Sequence, residues 1–118
     1  MVWQYSQTSG VIELGAVKGT GYSGFGAGRN NPDMEAVEDF GPIPRGLWKI
    51  VKPSYTHPHL GPIVMNLIPV GHDAHKRTVF RIHGNNPTND ASHGCIIQAH
   101  DIREKIDQSP DCMLEVVR

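Results

Sequence analysis

Thr78-Val79-Phe80-Arg81-Ile82-His83-Gly84 decides how the rest of the chain reads. Side chains alternate along a strand, so Val79, Arg81 and His83 share one face while Phe80 and Ile82 share the other. Gly84 breaks the run, which leaves His83 at the strand's end. One apolar face beside one polar face is the mark of a half-buried sheet strand.

The same pattern recurs in both directions. Trp3-Gln4-Tyr5-Ser6 alternates, Ser9-Gly10 is a turn signal, and Val11 to Leu14 returns as a hairpin partner. Leu47 to Val51, Ile63 to Ile68 and Cys112 to Val117 read as further strands. The expected helix is Ala99 to Gln108, where Ile102 and Ile106 face the core four residues apart and Pro110 ends the run. The spacing of six glycines from Gly15 to Gly28 predicts a loop, and Met34 to Phe40 a short helical turn. Gly41-Pro42-Ile43-Pro44-Arg45-Gly46 is a rigid turn, because both prolines fix φ. Six or seven strands, one helix and no internal repeat predict a mainly β (β-rich α+β) domain. It is a mixed sheet or sandwich with one packed helix near the C-terminus.

At 118 residues the chain has room for one domain, spanning 1–118. Its 13 glycines and 9 prolines favour short elements joined by turns. Eleven basic residues against twelve acidic ones leave no clustered cationic face, so nucleic acid is not an expected partner. No apolar run approaches the roughly 20 residues that span a bilayer. Met1 to Ser6 has neither a positive n-region nor an apolar h-region, so no secretory signal peptide is expected. Two cysteines, Cys95 and Cys112, do not make a disulfide framework. Cys112 alternates with Leu114 and Val116, which predicts core packing.

The chemistry concentrates in His83-Gly84 and Ser92-His93-Gly94-Cys95. A thiol attacks as thiolate, and an imidazole within reach can take its proton and hold it as a thiolate–imidazolium pair. Cys95 is therefore the expected nucleophile and His83 the expected base. The base needs an orienting partner on its other ring nitrogen, either a carboxylate or a backbone carbonyl; Gly84 is free to expose its carbonyl. Gly94 permits a tight bend that aims backbone N–H groups, that of Cys95 included, at an oxyanion.

Two rival readings carry less. Seven histidines suggest metal binding, but His57-x-His59 and His72-x-x-His75 lack paired cysteines, so no metal is expected. Gly19-Thr20-Gly21-Tyr22-Ser23-Gly24 matches G-x-G-x-x-G, yet Gly26, Gly28 and Pro32 prevent a helix from opening there, so no dinucleotide or other cofactor is expected. The segment reads instead as a loop beside a substrate groove. Tyr22 and Ser23 are candidate contacts to a polar peptide, together with Ser92 and Arg81.

These residues resemble the YkuD-type L,D-transpeptidase catalytic domain, in which a first histidine is followed by Ser/Thr-His-Gly-Cys. The likeness is closest to the type VI-secreted L,D-transpeptidase effectors. It is carried by Gly21 to Gly24, Asn31-Pro32, Gly41 to Pro44, Ile82 to Gly84, Ala91 to Ile97 and Arg103 to Ile106, from about Trp3 to Val117. The resemblance implies a Cys95 acyl-enzyme that removes or exchanges D-Ala on peptidoglycan tetrapeptide stems. It also implies the Gly84 carbonyl as orienter of His83, with His93 and Gly94 shaping the oxyanion site. Secretion without a signal peptide, action in the periplasm of target bacteria, antibacterial toxicity, secretion machinery and an immunity protein as partners follow from the same likeness. Ile97 stands where many relatives carry Arg or Asn. The alternatives are a cysteine amidase cutting within the same stems, or a non-catalytic histidine-rich metal-binding or cell-wall-binding module.

Overall fold

The computed structural model describes residues 1–118. Its strands, in chain order, are β1 (Val2–Ser6), β2 (Val11–Leu14), β3 (Val17–Thr20), β4 (Tyr22–Ser23), β5 (Gly46–Ile50), β6 (Tyr55–His57), β7 (Gly61–Val70), β8 (Phe80–His83), β9 (Ile96–Ile97) and β10 (Met113–Val117). The helix α1 spans His100–Gln108. The mainly β reading holds: one mixed sheet and one helix near the C-terminus.

The sheet runs in the order β3-β2-β1-β10-β5-β7-β8-β9-β4, with β6 added to β7. The β1–β10 and β8–β9 pairs are parallel and the other pairs antiparallel. Strands β3 and β4 stand at opposite ends of that order, yet only Gly21 separates them in the chain. The sheet therefore curls until its two ends meet at this glycine. A Cβ on Gly21 would lie 1.6 Å from the Ile97 carbonyl oxygen, so no larger residue fits the seam. The Gly21 N–H closes the seam further by donating to Gly10 O at 2.8 Å.

Period-two patterning explains the core. Trp3 and Tyr5, Trp48 and Ile50, Phe80 and Ile82, and Leu114 and Val116 are all buried, each pair on one face of its strand. Trp48 meets Phe80 edge-on at 4.9 Å between ring centroids and donates its indole N–H to Pro44 O at 3.1 Å, so its polar edge is satisfied as its ring is buried. On α1, Ile102 and Ile106 face inward as their spacing predicts. Gly19 lets the helix close on β3, since a Cβ there would lie 2.6 Å from the Ile102 side chain.

Three expectations need correction. The glycine-rich stretch holds strands β3 and β4 as well as loop, because its glycines admit close backbone pairing that a propensity reading scores as loop. The helical turn falls at Pro32–Met34, earlier than expected, where the Asn31 side chain accepts from Asp33 N and caps it. Cys112 lies before β10, half-buried and outside the core, with Pro110 O as the contact of its thiol at 3.8 Å.

The long connection from β4 to β5 is held by charge. Glu35 accepts from Gln7 Nε2 and Arg45 N, both at 2.9 Å, and pairs with Arg45 Nη2 at 2.9 Å. Burial pushes this carboxyl up, but the Arg45 bonds and charge, with the Gln7 bond, more than offset it and hold Glu35 at about 2. A depressed carboxylate contributes stability above its unfolded value of 4.5 and loses it as the pH falls toward 2. Two outcomes are expected in unfolding experiments. Glu35→Gln lowers stability at pH 7 and flattens the stability profile between pH 4.5 and 2. Gly21→Ala costs at least about 3 kcal/mol, the upper end for overpacking, because the obstruction is backbone.

Candidate active site

Strand β9 pairs in parallel with β8, placing Ile82 opposite Ile96 and His83 opposite Ile97. Ile82 and Ile96 both turn into the core. One residue earlier, Cys95 lies opposite Arg81 by extension of this register, on the same face as His83. With strands about 4.8 Å apart and about 3.3 Å per residue, the His83 and Cys95 backbones are diagonal neighbours about 8 Å apart. Both side chains line one cavity of about 380 Å³.

His83 is buried and is oriented by its neighbour: Nδ1 and Gly84 O are 2.8 Å apart. A carbonyl only accepts, so Nδ1 carries the proton. In the neutral ring Nε2 is then the basic nitrogen, and it makes no hydrogen bond within the protein. Gly84 is tightly placed. A Cβ there would lie 2.7 Å from Arg103 Nη2.

The thiol of Cys95 contacts Val79 O at 3.9 Å and is not hydrogen-bonded to His83. Burial pushes this thiol up, only partly countered by a backbone bond from Arg81 and the charges of Arg81 and Arg77. Burial pushes His83 down, against the raising effect of the Gly84 bond, and the Arg103 and Arg81 charges add to the lowering. Both directions favour the neutral thiol beside the neutral imidazole. These directions run against the ion pair expected from the residues alone. Val79 has φ +67°, a strained conformation for a β-branched residue, and is exposed on the cavity wall.

The loop before Cys95 is held by buried hydroxyls. Ser92 Oγ donates to Cys95 O at 2.6 Å and accepts from Gly24 N and Gly94 N. Ser23 Oγ donates to Gly94 O at 3.1 Å and accepts from Ile43 N at 2.8 Å. Both serines are fully buried. They shape the turn that carries Cys95 and are not presented as substrate contacts. Gly94 has φ +135°, and a Cβ there would meet Arg77 Nη2 at 2.6 Å. Since its N–H is bonded to Ser92 Oγ, Gly94 contributes conformation rather than a free oxyanion donor.

Arg77 is the residue that sequence reading missed. Its buried guanidinium donates to the carbonyls of Glu35, Pro42, Gly41 and His93, at 2.6 to 3.1 Å. It thereby ties the Gly41-Pro42 turn to the turn that carries Cys95. The sequence shows only a basic residue closing a polar loop, and nothing local marks it as buried. His93 is exposed at the cavity rim, stacked on Phe25 at 4.9 Å, with Nδ1 2.9 Å from Asp39 O. Its Nε2 is then an acceptor while the ring is neutral.

Arg81 lines the same cavity, with Nε donating to Tyr55 OH at 3.2 Å. Tyr22 does not line it. Its buried phenol donates to Asn85 Oδ1 and accepts from Ala91 N, and Arg29 lies 3.6 Å over the ring. Ile97 is buried and pairs with Tyr22 in the β4–β9 ladder. The histidines are scattered, and no three His, Cys, Asp or Glu side chains gather as metal ligands. Both cysteines are free thiols.

Residues 18–109 match a family model, that of the Tlde1 domain, and this span contains both His83 and Cys95. No curated protein matches the chain. The match corrects the resemblance drawn from the sequence: the family found is the Tlde1 domain, not the YkuD-type catalytic domain. With most of its length matched, the chain belongs to the Tlde1-domain family, a family of type VI secretion effectors.

Proposed function

We propose that this effector is a cysteine L,D-carboxypeptidase or L,D-transpeptidase acting on peptidoglycan tetrapeptide stems in the periplasm of target bacteria. The observation that carries the reading is the shared cavity: Cys95 and His83 line the same space, and Nδ1 of His83 is held by Gly84 O while Nε2 has no partner in the protein.

In this reading the Cys95 sulfur bonds to the carbonyl carbon of the third stem residue as its proton passes to His83 Nε2. The charges of Arg77 and Arg81, which already act on the thiol, favour the oxyanion that forms. The C–N bond then breaks, and Nε2 returns the proton to the departing D-Ala amine. A thioester on Cys95 remains. Water, or the amine of another D-amino acid, attacks it, passing a proton through Nε2 back to the thiol. The Gly84 carbonyl holds Nδ1–H throughout and steadies the imidazolium. Glu38 and Asp39 on one part of the cavity lining and Arg81 on another suit the ammonium and carboxylate of a diamino acid. An immunity protein that covers this cavity completes the proposal.

Four outcomes are expected. Turnover of purified tetrapeptide muropeptides falls to background in Cys95→Ala and by about 10²–10⁴ in His83→Gln; undiminished turnover by Cys95→Ala sinks the reading. Loss of D-Ala by mass, rather than release of a longer fragment, separates it from an amidase. The acid limb of kcat/KM falls below the ordinary imidazole value of about 6.5, because a depressed His83 stays neutral to lower pH. Iodoacetamide alkylation of Cys95 accelerates only above the ordinary thiol value of about 8.5; fast labelling at pH 6 would reveal an ion pair instead.

A further inference from the structure

A second cavity, of about 410 Å³, opens where α1 begins, and no Asp or Glu lines it. Its basic residues are Arg29, His100 and Arg103. Arg103 is the unusual one. It is 6% exposed and forms no salt bridge. Its Nε donates to Gln98 O at 3.0 Å, and Nη1 donates to Pro62 O and Ile63 O at 2.6 and 3.2 Å. Nη2 has no acceptor and is not sealed from solvent. A buried cation without a counter-charge is costly unless something anionic approaches it.

The helix terminus adds to the same field. Ala99 is the N-cap of α1 and offers no side-chain cap. The first backbone bond of the helix is Arg103 N to Ala99 O, which leaves the N–H groups of His100, Asp101 and Ile102 unpaired. The aligned peptide dipoles put partial positive charge at this end. Asp101 and Glu104 are exposed and absent from the cavity lining, though Glu104 Oε1 lies 3.5 Å from Nδ1 of the cavity-lining His100.

We propose that this cavity is a carboxylate-binding subsite that receives an acidic group of the stem peptide at a distance from the reacting carbonyl. The identity of the ligand rests on the proposed peptidoglycan activity; the anion site itself does not. Its position supports a shared ligand. The His83–Ile97 ladder pair and Gly84 link the Cys95 cavity to Arg103. One polar loop serves both cavities, Asn85 and Asn89 lining this one and Ala91 the other.

Ala99→Asp tests the subsite without threatening the fold. Ala99 is exposed with φ −65° and ψ 159°, the extended conformation that suits an Asp cap. The variant is expected to raise Tm while placing a fixed carboxylate where the ligand would sit. Acetate and inorganic phosphate, titrated into the wild-type protein, are expected to shift the amide resonances of residues 99–103 and the Arg103 side chain, and to shift neither in Ala99→Asp. In a Cys95→Ala background, Ala99→Asp is expected to weaken binding of an acidic tetrapeptide at least tenfold and to leave its fully amidated counterpart unchanged. Absence of the acetate shifts overturns the anion site. Acetate shifts together with an unchanged acidic-peptide Kd overturn the peptide assignment. Failure of the muropeptide assay would touch neither titration.

Discussion

The two-residue parallel ladder between β8 and β9 is short, yet it decides which face of the sheet carries the thiol. Ile82 and Ile96 lock into the core, so the alternation of the pleat sends His83 and Cys95 out together on the other side. A slip of one residue would send the thiol inward and an isoleucine into the cavity. The apolar pair therefore sets the face on which His83 and Cys95 meet. Two buried isoleucines enforce a register that two polar residues use.

So short a ladder does not hold a strained turn by itself. The chain before Cys95 is bound from three sides: by Ser92 beneath it, by Ser23 from β4, and by Arg77 from the loop before β8. All three are buried polar side chains with backbone partners, the arrangement in which desolvation is offset by directed bonds. Arg77 also ties Cys95's turn to the Gly41-Pro42 turn, and Glu35, pinned by Arg45, offers its carbonyl to the same guanidinium. The position of Cys95 is thus a property of the long β4–β5 connection as much as of the turn that bears it.

Burial then shapes the chemistry. It raises the thiol and lowers the imidazole, so both shifts favour the neutral forms of Cys95 and His83. The same desolvation leaves Arg103 as a buried cation whose Nη2 has no protein acceptor.

Much was legible in the sequence. The period-two runs at Trp3-Tyr5, Trp48-Ile50, Phe80-Ile82 and Leu114-Val116 identify core strands, because a pleat has only two faces. The four-residue spacing of Ile102 and Ile106, close to the helical repeat of about 3.6, identifies the helix. His83, Gly84 and Cys95 stand out in a polar, turn-rich context, and the fold brings His83 and Cys95 to one cavity. Other features depended on distant segments meeting. Gly21 acts as the seam of a curled sheet only because β3 and β4 lie at its two ends. Ser23 and Ser92 are buried supports only because β4 lies against β9. Arg77 and Arg103 are interior cations only because carbonyls from remote loops converge on them. Local pattern reports which face a residue takes within its own element, while partners far apart in the chain are brought together by tertiary packing alone.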